Sequence, residues 1–261
     1  MDQRLPITIV KIGTNLLTTA EGLPDLAAMK QYVSAVATAF LQKKTRIIMV
    51  TSGSITCGSY PLGIKPVTIP ERQAAASVGQ IILMKEYSAL FAEFNIQVGQ
   101  LLLTKDGIED ELRKHHAKNT IMTLLDHGVI PIINENDTVA TDEIDQKFGD
   151  NDQLSALVAQ FIDASLLILL TDTDGVYTKN PKLHDDAQLI DRIEQVSSDI
   201  LDMVEDVNTG RSRGGMSSKL SAARLASEHG VDVFIANGRK DGVLSGLLNG
   251  ECHGTHIVGV D

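Results

Sequence analysis

The sequence predicts an α/β fold, an open, mostly parallel sheet sandwiched by helices. Three observations lead there. Short apolar runs alternate with longer helical patterns along the chain. Most of the short runs are β-branched and apolar on both faces, as strands buried between two helical layers must be. Hydrophobic residues make up 43% of 261 residues, enough for a sizeable core. Aromatics are only 4% and Trp is absent, so Val, Ile, Leu and Ala must fill that core.

Taken in order, "ITIVKIGT" (7–14) reads as the first strand, followed by a helix over 25–43. "RIIMVTSG" (46–53) is the second strand, before a helix over 70–94. "IQVGQLLLT" (96–104) and a helix over 105–127 come next, then "VIPIINEND" (129–137). A helix over 149–162, the strand "SLLILLTD" (165–172), a helix over 215–229 and the strand "VDVFIANG" (231–238) complete the alternation. Parallel strands joined through helices require crossovers, which are right-handed. "TVATDEIDQKFGD" (138–150) reads as a hairpin or flap. The small-residue stretch "QAAASVGQ" (73–80) suits either a subunit contact or a buried core helix. No linker, repeat or low-complexity segment interrupts the pattern, so residues 1–261 read as one domain.

The net charge of −11 argues against general binding of nucleic acid or an anionic membrane. Small anionic ligands need only local positive charge and stay allowed. Cys57 and Cys252 lie far apart without metal-type spacing, which suits two reduced thiols in a cytoplasmic protein. "MDQRLPITIV" lacks the apolar segment of a signal peptide, and no run approaches membrane-spanning length.

The informative pattern lies at the strand ends. The strands run into Lys11-Ile12-Gly13-Thr14, Thr51-Ser52-Gly53-Ser54, Asn134-Glu135-Asn136-Asp137 and Thr171-Asp172-Thr173-Asp174-Gly175. Each cluster alone could be an ordinary turn. Four of them at the carboxyl edge of one sheet favour a ligand site, because open α/β sheets bind there.

Two lysines sharpen the chemistry. Lys11 shares a strand face with Ile7 and Ile9. An ammonium there is costly unless paired; it either snorkels to water at the strand end or meets a phosphate. In "GRSRGGMSSK" (210–219) an apolar stripe of Met216, Leu220, Ala223 and Ala226 starts a helix near Gly215. Lys219 then sits near the positive helix end, where a bound anion would turn an unfavourable charge into a favourable one. A solvated surface lysine is the alternative. The familiar nucleotide motifs are absent. No Gly-x-Gly occurs, and Gly210 and Gly215 have P-loop spacing but precede Met216-Ser217. Neither His-Glu-x-x-His nor Cys-x-x-Cys occurs, and His115-His116 lies in a charged, exposed helix. In "GDNDQLSALVAQ" (149–160) Asp150, Asn151 and Asp152 precede an apolar helical run, as caps or as something more.

The stretches "VKIGTNLL", "VTSGSI", "ASVGQ", "VGQLLLT", "VIPIINENDTVAT", "GDNDQLSALVA", "LLTDTDGVYTKNP" and "GGMSSKLSAA" run in one order from residue 10 to about 226. With them the chain resembles the amino-acid kinase family, and within it the branch that phosphorylates glutamate. "INENDTVAT" followed by "GDNDQLSA" is specific, and "KIGT" separates it from acetylglutamate kinases and aspartokinases, which carry Gly-Gly after that lysine.

The resemblance implies ATP-dependent transfer to the side-chain carboxylate of L-glutamate, the first step towards proline. It implies that Lys11 and Lys219 contact the transferring phosphoryl group and that Asp152 aligns both lysines. Ser52, Gly53, Asn134, Asp137 and Asn151 would hold glutamate. Lys11, Thr171, Asp172, Arg213, Gly214, Gly215, Met216, Ser217, Ser218 and Lys219 would lie along ATP. Asp150 would cap the helix, and Lys147 would be a substrate-loop lysine. No protein metal ligand is implied, because Mg²⁺ would ride mainly on the ATP phosphates. L-proline is expected as a feedback inhibitor, and a homo-oligomer, dimer or tetramer, is expected. Many members of that glutamate-phosphorylating branch continue into a C-terminal PUA domain, which resembles RNA-modification modules; this chain stops at Asp261, so neither that domain nor RNA binding through it is expected. The rival readings are another phosphotransferase of the family and a catalytically silent amino-acid sensor.

Overall fold

A computed structural model of the chain describes residues 5–139, 151–181, 183–203 and 215–260. The strands are β1 (Ile7–Ile12), β2 (Arg46–Val50), β3 (Val98–Leu103), β4 (Ile130–Glu135), β5 (Leu166–Thr171), β6 (Arg192–Ile193), β7 (Asp232–Asn237) and β8 (Thr255–Ile257). The helices are α1 (Thr14–Leu17), α2 (Leu26–Leu41), α3 (Ser54–Leu62), α4 (Ile69–Ala92), α5 (Lys105–Glu109), α6 (Glu111–Asp126), α7 (Asn151–Phe161), α8 (Ser198–Asp202), α9 (Met216–Ser227) and α10 (Val243–Leu248). All eight strands join one sheet in the order β3-β4-β2-β1-β5-β7-β8-β6. Every neighbouring pair is parallel except β7 and β8.

Strand alternation sorts the sheet into two cores. Ile7, Ile9, Ile48, Val50, Leu167 and Leu169 face a layer with Leu154 and Val158 of α7 and Leu220 and Ala223 of α9. Val10, Ile12, Ile47, Met49, Ile168 and Leu170 face the opposite layer, where Met29 and Val33 of α2 and Tyr87 and Phe91 of α4 pack. Lys11 has the parity of Ile7 and Ile9, so its side chain falls on the α7–α9 side.

All six strands expected from the apolar runs are present, trimmed by a few residues at their ends. The helix expected over 105–127 is two, α5 and α6, because Asp110 accepts a hydrogen bond from the Arg113 amide at 2.8 Å and caps a new helix there. The short elements α1, α3, α8, α10, β6 and β8 carry too few residues for a periodic signal. The flap expected over 138–150 lies outside the described residues beyond Val139. No helix among the described residues is long and apolar enough to cross a membrane.

The small residues of "QAAASVGQ" are spent within the chain. Helices α3 and α4 cross almost backbone to backbone. A methyl group on Gly79 would overlap the Ser54 carbonyl oxygen, and one on Gly58 would overlap the Ala75 carbonyl oxygen. Neither partner is a flexible side-chain end, so the helices would have to part. Gly79→Ala is therefore expected to destabilise the protein by about 1–3 kcal/mol or more. Ile81→Ala, at an exposed position two residues on, should stay within about 0.5 kcal/mol of wild type. Denaturant unfolding of both variants checks the contrast, and equal stability of the two would show that the crossing can open at no cost.

Candidate active site

The strand ends that carry polar residues in the sequence meet at one edge of the sheet. At its centre Asp152, in the first turn of α7, is fully buried. Lys11 Nζ lies 2.5 Å from its Oδ1 and Lys219 Nζ lies 3.0 Å from its Oδ2. Both lysines are buried as well. The arrangement follows from the layers: β1 delivers Lys11 to the side on which α7 and α9 pack, and those two helices lie against each other.

Burial by itself would raise the Asp152 carboxyl. The attraction of the Lys11 and Lys219 ammoniums, and the hydrogen bonds they donate, outweigh it and hold the group well below the usual carboxylate range. Two charges of one sign and one of the other leave a net positive charge in a poorly hydrated place. Each oxygen of Asp152 faces an ammonium, so this carboxylate is occupied by the lysines rather than open to a metal.

Beside this triad lies a relay of amides and hydroxyls. The Glu135 amide donates to Asn134 Oδ1 at 3.0 Å. Asn151 Nδ2 donates to the same oxygen at 2.9 Å and to Ser52 Oγ at 3.0 Å. Asn134 Nδ2 donates to Gln80 Oε1 at 2.7 Å. Ser54 Oγ, in the first turn of α3, donates to Asp137 Oδ2 at 2.7 Å. The turn after β2 that aims Ser52 inward passes through Gly53 at φ +97°, a left-handed conformation that favours glycine.

A second group of polar residues sits where β5 and β7 end. Thr171 is nearly buried and Asp172 is exposed. Asp174 accepts hydrogen bonds from Lys240 Nζ at 2.8 Å and Asn237 Nδ2 at 2.9 Å, which lower its pKa. Helix α9 begins at Gly215 with no side-chain cap, and Met216, Ser217, Ser218 and Lys219 form its first turn.

The structure thus brings together Lys11, Ser52, Gly53, Asn134, Asp137, Asn151, Asp152 and Lys219, with Thr171, Asp172 and Gly215–Ser218 on adjoining strand and helix ends. Arg213, Gly214, Asp150 and Lys147 lie outside the described residues. Gln80, Asn237 and Lys240 belong to the site edge without a sequence expectation, and Asp174 joins them from the strand-end cluster 171–175. Gln80 had a signal: it lies on the α4 stripe of Ala76, Leu83 and Tyr87, a polar side chain on a buried face. His115 and His116 are exposed on α6. Cys57 and Cys252 are free, and burial pushes the Cys57 thiol up to about 12, so it is inert at neutral pH.

Two buried cations bridged by an anion, next to a pocket edge of amides and hydroxyls, are suited to binding phosphate beside a small polar molecule. Residues 6–237 match the amino acid kinase family, and the chain belongs to that family. Its curated relatives include the glutamate 5-kinase of Clostridium acetobutylicum, 43% identical over 252 residues that span 96% of this chain and 93% of that protein. The glutamate 5-kinase of Methylococcus capsulatus is 45% identical over 252 residues, 96% of this chain and 67% of that protein. Among solved structures, UMP kinase from Ureaplasma parvum superposes with a TM-score of 0.67 at 16% identity, covering 98% of this chain and 100% of that one. An isopentenyl phosphate kinase superposes with a TM-score of 0.65 at 20% identity, covering 97% of this chain and 100% of that one. At such identities these two likenesses speak for the fold.

Removing the Asp152 charge leaves two buried ammoniums unbalanced. Asp152→Asn should therefore lower stability by about 3–5 kcal/mol at neutral pH. Because the folded-state pKa of Asp152 is depressed, its contribution is fully present above the ordinary carboxylate pKa. It is lost only as pH falls below that range, towards the folded pKa. Denaturant unfolding at pH 7 and pH 5 should give the same gap between wild type and variant. A gap that closes between those pH values would show that the lysines do not hold the carboxylate ionised.

Proposed function

We propose that this site transfers the γ-phosphoryl group of ATP to the side-chain carboxylate of L-glutamate, the reaction of a glutamate 5-kinase. The observation that carries the reading is the buried Lys11–Asp152–Lys219 triad beside the amide relay. The curated relatives support it by name. The product is γ-glutamyl phosphate, the first intermediate on the route to proline.

A bond forms between a γ-carboxylate oxygen of glutamate and the γ-phosphorus. The bond from that phosphorus to the β–γ bridging oxygen breaks, and ADP leaves with the electron pair. The nucleophile is a carboxylate, ionised at neutral pH, so no proton has to be removed and no general base is needed. What the site must supply is alignment of two anions and neutralisation of charge. Lys11 and Lys219 do the second, and Asp152 holds both ammoniums in register. Asp137, steadied by Ser54, accepts from the α-ammonium, and Ser52 and Asn151 orient the substrate. Thr171, Asp172 and the first turn of α9 flank the nucleotide. Mg²⁺ bound to the ATP phosphates supplies further charge neutralisation, and with Asp152 engaged by the lysines the chain adds few ligands of its own. We read residues 1–261 as one amino-acid kinase domain on this basis.

With ATP, Mg²⁺ and L-glutamate, folded protein should release ADP, and hydroxylamine should trap the acyl phosphate as a hydroxamate. Turnover of another carboxylate, phosphate or carbamate acceptor without any glutamate-dependent ADP would reject glutamate. Binding of glutamate without turnover would identify a sensor.

Lys11→Met and Lys219→Met should each lower kcat by about 10²-fold or more, about 2.7 kcal/mol of transition-state stabilisation. The KM for glutamate should change far less, since the ammoniums matter most as charge moves from nucleophile to leaving group. Steady-state kinetics with near-wild-type kcat in either variant would remove that lysine from the reaction.

A further inference from the structure

The amide relay has a fixed polarity, and among the described residues it leaves two buried atoms unpaired. The Glu135 backbone N–H can only donate, so the Asn134 atom it meets is Oδ1. Asn134 Nδ2 is then the donor to Gln80, and the Gln80 atom that faces it is Oε1. Gln80 is only 8% exposed, and its Nε2 is a buried donor without a hydrogen-bond partner. The same reasoning fixes the other end. The Asn151 atom facing Asn134 Oδ1 must donate, so it is Nδ2. Its Oδ1 is a buried acceptor, also without a hydrogen-bond partner. Orphaned buried groups of this kind are costly and call for an occupant.

One unpaired donor and one unpaired acceptor flank the Asn134 amide, and an amino acid presents the complementary pair at one carbon. Its α-carboxylate accepts and its α-ammonium donates. Resting on the glutamate reading above, we propose that Gln80 is a further substrate-binding residue, whose Nε2 donates to the α-carboxylate of the acceptor amino acid. Asn151 Oδ1, at the other end of the relay, accepts from the α-ammonium alongside Asp137. The close crossing of α3 and α4 at Gly58 and Gly79 sets Gln80 at a fixed depth beside the turn that carries Ser52 and Ser54. This gives the site a way to tell an α-amino acid from a carboxylate that lacks one of the two head groups.

The test is Gln80→Glu. It keeps the shape and keeps an oxygen to accept from Asn134, but it replaces the open donor by a carboxylate oxygen. The KM for glutamate should rise at least about tenfold, while the KM for ATP stays within about twofold. The second acceptor is 4-aminobutyrate, which is glutamate without its α-carboxylate. The ratio of kcat/KM for glutamate to kcat/KM for 4-aminobutyrate should fall at least about tenfold in the variant. A glutamate KM within about twofold of wild type, or an unchanged ratio, overturns the assignment of Gln80. Thermal melting checks that the variant folds. If it does not, Gln80→Met removes the donor without adding charge and is judged by the same two quantities. Wild-type protein that melts normally yet shows no glutamate-dependent ADP release overturns the glutamate reading itself, a different failure from that of Gln80.

Discussion

Two lysines and one aspartate share a space nearly closed to water, and most of the fold around them serves that constraint. Neither ammonium could stay buried alone, and both together hold Asp152 ionised against its burial. The three come from β1, α7 and α9, elements far apart in the chain. They meet because the central strand sends Lys11 to the side of the sheet where those two helices pack. Breaking one partner leaves the others exposed to the full cost of desolvation, so the triad behaves as a unit rather than as two separate ion pairs.

The amide relay beside the triad obeys a second constraint, one of direction rather than charge. A single backbone N–H at Glu135 dictates which end of each neighbouring amide donates and which accepts. That polarity runs from Gln80 through Asn134 and Asn151 to Ser52. It depends on helix placement, because Gln80 reaches Asn134 only from an α4 that lies against α3. Glycines with no room for a methyl group permit this approach. The backbone contact between Gly79 and Ser54 thus sets where Gln80 meets Asn134.

Much of this was legible in the chain. Buried strands write themselves as β-branched runs, and the six long ones lie where those runs are. Lys11 stood out because an ammonium among isoleucines needs a reason, and Asp152 because it opened an apolar helix. The pairing of both lysines with that carboxylate was implied by the family resemblance, and its physical reason lies in the fold: strand parity and helix packing bring Lys11 and Lys219 to Asp152. Gln80 was visible as a polar break in an apolar stripe, but its role depends on a network crossing three elements. The two-residue β6 and three-residue β8 pair across long separations and carry no local signal. The split between α5 and α6 turned on one capping side chain, Asp110, inside an otherwise continuous helical stretch.

The surplus positive charge of the triad also bears on how long the protein lasts. Burying these three charges costs desolvation that their ion pairs only partly return. An anion bound there relieves that penalty, and whatever binds the native chain alone shifts the folding equilibrium towards it by mass action. By the same linkage, protein with its anion bound should open to proteases less often than the empty form.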